Sequence, residues 1–219
     1  MSVIDPYMLC PLCGENKAEN NGKRYTHREH IPPKCLFIDQ EILITVPSCR
    51  SCNNGTSESD SDFKVALGIY LGKGHAKFWQ ETLKSFRYQG NKLKKEETLN
   101  KIKLVSKAQQ FKKEIYAVPV KAAPIRKTIS KIVRGLYWHL KKEIFPTNIK
   151  IEVFPIRQSY QAPKEIIEVL TQHGKIIRSN KSSFEAIYAF VEDRKWASLW
   201  LIRFYGEDCF LAFTDLENK

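Results

Sequence analysis

The sequence predicts an α+β protein. Helical and strand-like stretches alternate without Gly-rich crossovers, one strong amphipathic helix lies mid-chain, and the first 60 or so residues are organised around cysteines rather than an apolar core.

Residues 1–62 are rich in Cys, Asn, Gly, Ser and Asp and carry few periodic apolar runs, which predicts a small module whose core is a metal ion. Within it "EILITVP" reads as a short β-branched strand running into Cys49. "NNGTSESDSDFKVALGIYLG" reads as a turn and then a helix ending near Gly72 or Gly74. "HAKFWQETLKSFRY" sets Phe78, Leu83 and Phe86 at near-helical spacing and closes at Gly90, and "NKLKKEETLNKIKLVSKAQQFKKEIYAVPV" reads as loop and helix running into a strand. The strongest helix is "APIRKTISKIVRGLYWHLKKEIFP". Pro124 suits its first turn, Ile125, Ile129, Ile132, Val133, Leu136, Tyr137 and Leu140 form one stripe, and Pro146 follows its end. Arg126, Lys127, Lys131, Arg134, Lys141 and Lys142 fall on the other face. Beyond it "IKIEVFPI" alternates as a strand, "APKEIIEVLTQHG" is a short helix with a Gly stop, and "FEAIYAFVE" is a strand. "ASLWLIRFYGEDCFLAFTD" is a hairpin turning at residues 206–208. The expected division is a zinc-stapled module over 1–72, a basic helical region over 73–148, and an antiparallel sheet with a helix over 149–219.

No run approaches the ~18 apolar residues of a membrane span, and "MSVIDPYMLC" lacks the basic start and apolar block of a secretory signal. A cytoplasmic protein is expected. In that reducing compartment disulfides are disfavoured, and Cys10, Cys13, Cys49 and Cys52 form two Cys-x-x-Cys knuckles, the thiolate set of a closed tetrahedral zinc site. A redox pair or plain burial is the alternative. Cys35 and Cys209 are expected to be small apolar side chains.

The formal charge of +12 is uneven: 21 basic against five acidic residues over 63–150, with slight acidic excesses on either side. Such a segment suits a polyanion, because each neutralised phosphate releases counterions, although a solvated lysine face would give the same count. P-loop and dinucleotide fingerprints are absent.

Between the knuckles lies "YTHREHIPPKCLF", two histidines with an arginine and a carboxylate before a pair of prolines. With "EHIPP" on one side and "CRSCNN" on the other, the first 60 residues or so resemble the HNH endonucleases in their zinc-stapled variant, whose ββα-metal module sets a His after an acidic residue on a β-element and a polar ligand after the last Cys. The resemblance implies a metal-dependent endonuclease hydrolysing the phosphodiester bonds of DNA, with His30 as general base and Glu29 and Asn53 holding one Mg²⁺ or Mn²⁺ beside the structural Zn²⁺. Ser57, Asp60 or Asp62 could add a ligand, Ser57 standing one helical turn after Asn53. Pro32 and Pro33 stop the strand and stiffen the turn that presents His30. The middle Asn of the family pattern is missing from "EILITVP", so the brace for His30 must come from elsewhere.

Arg28 and His27 are expected to contact phosphate, as are Lys127, Lys131 and Arg134 on the basic helix and the lysines of residues 91–113. On a strand His27 faces away from His30, which favours a flanking phosphate contact or a surface residue over a second base. The four tryptophans read as core. A protein partner through the C-terminal region is an open expectation, RNA stays open as a substrate, and phage defence or restriction is a setting where such modules occur. The alternative is a non-catalytic zinc-stapled nucleic-acid-binding protein, in which His30 is a surface histidine, Glu29 an exposed charge and Asn53 a helix N-cap.

Overall fold

Two strands, β1 (His27–Ile31) and β2 (Ile44–Ser48), pair antiparallel with Glu29 opposite Val46 and His30 opposite Thr45. The computed structural model describes residues 10–14, 27–71, 75–88, 103–108, 113–117, 122–156 and 162–215. After β1 the prolines turn the chain, through a cis Ile31–Pro32 bond, into a single 3-10 turn at Lys34–Leu36. This connection is tied down from the far end of the sequence. The Tyr205 hydroxyl donates to the Leu36 carbonyl at 3.0 Å and accepts from the Ile38 amide at 3.3 Å.

β2 runs into α1 (Arg50–Asn54), which packs against β1, and α2 (Ser57–Leu71) and α3 (Ala76–Tyr88) follow. Where loop and helix were expected to lead into a strand, β3 (Lys103–Ala108) and β4 (Lys113–Ala117) form a separate antiparallel hairpin. Val105, Ile115 and Tyr116 are strand-favouring residues, and a connection of four residues suits a hairpin better than a helix. The lysines of residues 91–102 lie outside the described residues.

The predicted strong helix is α4 (Ala122–Lys141), and it is the scaffold of the molecule. Its apolar stripe is buried as the spacing implies, with Ile129, Ile132, Val133 and Leu136 fully covered. A second stripe is buried as well. Thr128, Lys131, Gly135 and Trp138, spaced i, i+3, i+7 and i+10, sink because α4 touches α2 and the β1–β2 hairpin as well as β5 and β9 of the C-terminal sheet.

That sheet holds β5 (Ile151–Pro155), β6 (Lys175–Arg178), β7 (Phe184–Phe190), β8 (Ser198–Phe204) and β9 (Glu207–Thr214), all antiparallel in the order β5-β9-β8-β7-β6. The β8–β9 turn uses Tyr205 and Gly206 at φ 56° and 83°, the doubly positive pair that a two-residue hairpin turn needs. One face is covered by α5 (Lys164–His173) through Leu170, with Ile156, Ala162, Leu201 and Leu211. The other meets α2 and α4, with the Phe63 ring 5.9 Å from Phe204 and 5.5 Å from Phe210. One buried cluster therefore runs from Cys10, Ile31 and Val46 across α4 to Trp200 and Phe210. Among the described residues no helix is long and apolar enough to cross a membrane.

Candidate functional site

The two knuckles close on each other. The Sγ atoms of Cys10, Cys13, Cys49 and Cys52 all lie within 4.8 Å of one another, and Cys13 and Cys49 are 3.8 Å apart. A tetrahedral zinc with bonds of ~2.3 Å has sulfur–sulfur edges of ~3.8 Å, so the four thiols can hold one zinc ion. The local chain folds for this purpose. Gly14 takes φ 68° and its amide bonds back to the Cys10 carbonyl at 2.7 Å, while Cys49 caps α1, its Sγ accepting from the Cys52 amide at 3.4 Å. Hydrogen bonds with Cys13 and Cys52 hold the Cys10 thiol far below its ordinary range, and the bonds with Cys10 and Cys13 push Cys52 above it. Thiols in such contact cannot all ionise unaided, and a divalent cation could complete the set. Among the described residues this is the one group of three or more His, Cys, Asp or Glu side chains that converges on a point.

β1 presents the histidine. His30 is half-buried, and burial together with the Lys34 ammonium holds it below the ordinary imidazole value, so it is neutral at physiological pH. Its Nδ1 is buried and meets no hydrogen-bond partner among the described residues. Asn53 lies inside α1, its amide donating to the Cys49 carbonyl at 2.9 Å and its Nδ2 reaching Asn54 Oδ1 at 3.4 Å; the helix cap is Cys49. Ser57 is exposed at the start of α2, after the break at Gly55 and Thr56, so it does not continue the helix of Asn53 as its spacing suggested.

Glu29 is not the exposed charge of the alternative reading. It is 7% accessible and ion-paired to Lys131, whose Nζ lies 3.3 Å from Glu29 Oε1, 2.6 Å from Asp60 Oδ2 and 2.9 Å from Thr56 Oγ1. Thr128 donates to the second oxygen of Asp60 at 3.0 Å. Burial pushes Glu29 above the ordinary carboxylate range; Lys131 opposes the shift, while Asp60 and Cys10 add to it. Asp60 is thus engaged by Lys131 and the two threonines.

Two expected phosphate contacts are corrected by the same observations. Lys131 is 5% accessible and spends its three N–H donors on three protein acceptors, leaving none for a nucleic acid. Arg134 folds back on the chain after α4, donating to the carbonyls of Phe145, Pro146 and Ile149 at 2.9, 3.2 and 3.3 Å, with its guanidinium 5.1 Å from the Phe145 ring. Lys127, with Arg126 beside it, is exposed as expected, and so are His27 and Arg28. Cys209 is buried as expected, whereas Cys35 is exposed on the 3-10 turn. Thr56, Thr128 and the pairing of Lys131 were missed from sequence, although the small residues Thr128 and Gly135 flanking Lys131 at helical spacing were a readable sign of close approach.

Comparison with protein-family models, with curated proteins and with solved structures finds no match for this chain.

Proposed function

We propose that the chain is a metal-dependent endonuclease of the HNH type, built on a zinc-stapled ββα-metal module, that hydrolyses phosphodiester bonds of DNA. The observation that carries the reading is the closure of the four thiols, which clamps the β1–β2 hairpin, with Glu29 and His30, against the helix that bears Asn53.

The residues present suit that chemistry. A neutral, half-buried imidazole can take a proton from water at physiological pH, and His30 is held in that form. Glu29 keeps one carboxylate oxygen that no described residue hydrogen-bonds, and Asn53 offers an amide oxygen; both are hard donors of the kind Mg²⁺ and Mn²⁺ prefer. A bound ion of this class neutralises charge on the scissile phosphate and on the leaving alkoxide. Exposed Arg126, Lys127, Arg28 and His27 serve as phosphate contacts, which position a backbone without reading its sequence.

The test is cleavage of plasmid and single-stranded DNA with Mg²⁺, with Mn²⁺ and with EDTA, run beside His30→Ala. Cutting should require the metal and fall by roughly 10² to 10⁴ in His30→Ala, with zinc content and DNA binding retained. A parent protein that cuts nothing under either metal leaves a zinc-stapled nucleic-acid-binding protein as the better account.

A further inference from the structure

Lys131 stands out as a charged side chain placed where no charge is cheap. It rises from the middle of α4 into the space between β1 and α2, and at 5% accessible it is nearly as buried as its neighbours Ile132 and Val133. An ammonium there must be fully hydrogen-bonded to survive, and it is, by Glu29, Asp60 and Thr56. The three acceptors come from different elements: Glu29 from β1, Asp60 from α2, and Thr56 from the link between α1 and α2.

Thr56 extends the chain of contacts one step further. Its Oγ1 lies 3.2 Å from the Cys52 carbonyl oxygen and 3.1 Å from Asp60 Oδ2, two acceptors for its single proton. A continuous polar path therefore runs from Cys52, a knuckle residue adjoining Asn53, through Thr56 and Lys131 to Glu29. Asp60 is locked behind it by Lys131 on one oxygen and Thr128 on the other. The backbone is referenced at the same place: Gly135, one turn on from Lys131, lets α4 approach so closely that a Cβ there would stand 2.5 Å from Ile31 Cγ1.

Resting on the nuclease reading above, we infer that Lys131 is a positioning residue for the catalytic ion. It occupies Glu29 Oε1 with a fixed donor, leaves Oε2 as the oxygen presented to the ion, and sets the separation between Glu29 and the knuckle that carries Asn53. Lys131 touches neither ion nor substrate; it acts through Glu29. Partners of this kind commonly change metal affinity or activity by 10- to 100-fold when removed.

The experiment is Mn²⁺ binding to the zinc-loaded full chain, followed by the electron paramagnetic resonance signal of free Mn²⁺, with no substrate present. Lys131→Met keeps the stem and removes the charge; it should weaken Mn²⁺ at least about tenfold, and Lys131→Arg should recover part of the loss. Glu29→Gln should weaken Mn²⁺ as well. Because Lys131 works through Glu29, the double variant should bind no worse than Glu29→Gln alone. If Lys131→Met does not fold, Thr56→Val tests the same path by removing one acceptor and the link to Cys52, and it should weaken Mn²⁺ severalfold while keeping its zinc. Unchanged Mn²⁺ affinity in the folded variant, or additive losses in the double variant, overturns the inference. So does a parent that binds no Mn²⁺. A parent that binds Mn²⁺ with the expected coupling but cuts no nucleic acid sinks the nuclease reading and leaves the role of Lys131 standing.

Discussion

Around Cys10 and Val46 the chain is closed by four thiols, one short hairpin and an ammonium between two carboxylates; around Trp200 and Phe210 it is closed by rings and aliphatic side chains on both faces of five strands. α4 touches both regions, with Lys131 and Gly135 on the hairpin side. The difference is one of conditions. Apolar burial persists whatever the redox state or metal supply, whereas a thiolate cluster and a buried ion pair hold only while their partners are present. A site built on the conditional region would gain rigidity from a metal and from Lys131, and the loss of either would weaken it.

Zinc removal breaks the comparison hardest. The protein should carry about one equivalent of zinc, and stripping it with a chelator, or Cys49→Ser, should open β1, β2 and α1 while β8 and β9 stay folded. Structural zinc contributes on the order of 10 kcal/mol in small modules, more than the local apolar packing can replace. Hydrogen exchange reads the outcome element by element: protection should vanish at Val46 and survive at Leu201 and Leu211. Simultaneous loss at all three would mean that the two regions unfold as one, and an intact hairpin without zinc would mean that the sulfurs are not its staple.

Gly135→Ala probes the seam between the regions with a smaller effect. In an exposed helix this change stabilises by about 1 kcal/mol. Here the new methyl would stand 2.5 Å from Ile31 Cγ1 and 2.7 Å from Ile31 Cδ1, in a site where Ile31 is 1% accessible and has nowhere to go. Overpacking of this kind costs about 1–3 kcal/mol, so the net sign should be destabilising. Ile31→Val removes Cδ1 and should return part of the loss in the double variant, read as the urea midpoint. Because Ile31 follows His30, cleavage should suffer more than stability predicts. A Gly135→Ala protein as stable as the parent would show that the seam is looser than the distances imply.

These two regions were also unequally legible in the sequence. Strand and helix periodicity located α4, α5, β5, β7 and the β8–β9 hairpin, because one side of each is apolar and the pattern repeats. β6, four residues reading KIIR at a sheet edge, offered too little period to be seen. The four-thiol cluster was readable because a Cys-x-x-Cys spacing has a chemical meaning at short range. The Lys131 pair was not: Glu29 and Lys131 are 102 positions apart, and beyond the small residues Thr128 and Gly135 beside it, a lysine on a helix among other lysines carries no sign of which side will be covered. Amphipathic reasoning assumed one buried face for α4, but the helix is covered on two: the charge at Lys131 went inward with the second, and Arg134 folded back on the chain after the helix.

The mildest perturbation sharpens the comparison from the apolar side. Glu185 on β7 accepts from Arg203 Nη1 at 2.8 Å and from Arg178 Nε at 2.5 Å, and Arg203 also binds Asp208 across the β8–β9 hairpin. Burial alone would raise Glu185, but the hydrogen bonds and charges of Arg203 and Arg178 outweigh it and hold the carboxyl below its ordinary value of 4.5. The sign of the linkage follows. The unfolded chain takes up this proton first, so the stabilisation is complete above about pH 4.5 and is lost as pH falls through the lower folded value. Arg178 is 54% exposed and Arg203 34%, so screening limits the whole network to about 1 kcal/mol at neutral pH. Glu185→Gln should therefore be slightly less stable than the parent at pH 7, and the gap should close progressively as pH falls below about 4.5. The measurement must be hydrogen exchange of β7 and β8 rather than overall unfolding, because acid would also protonate zinc-binding thiolates, release the zinc and open the hairpin region for an unrelated reason. A gap between variant and parent that does not narrow at all as pH falls below about 4.5 would assign the effect to shape rather than to charge, and the sheet would then owe its stability to packing alone.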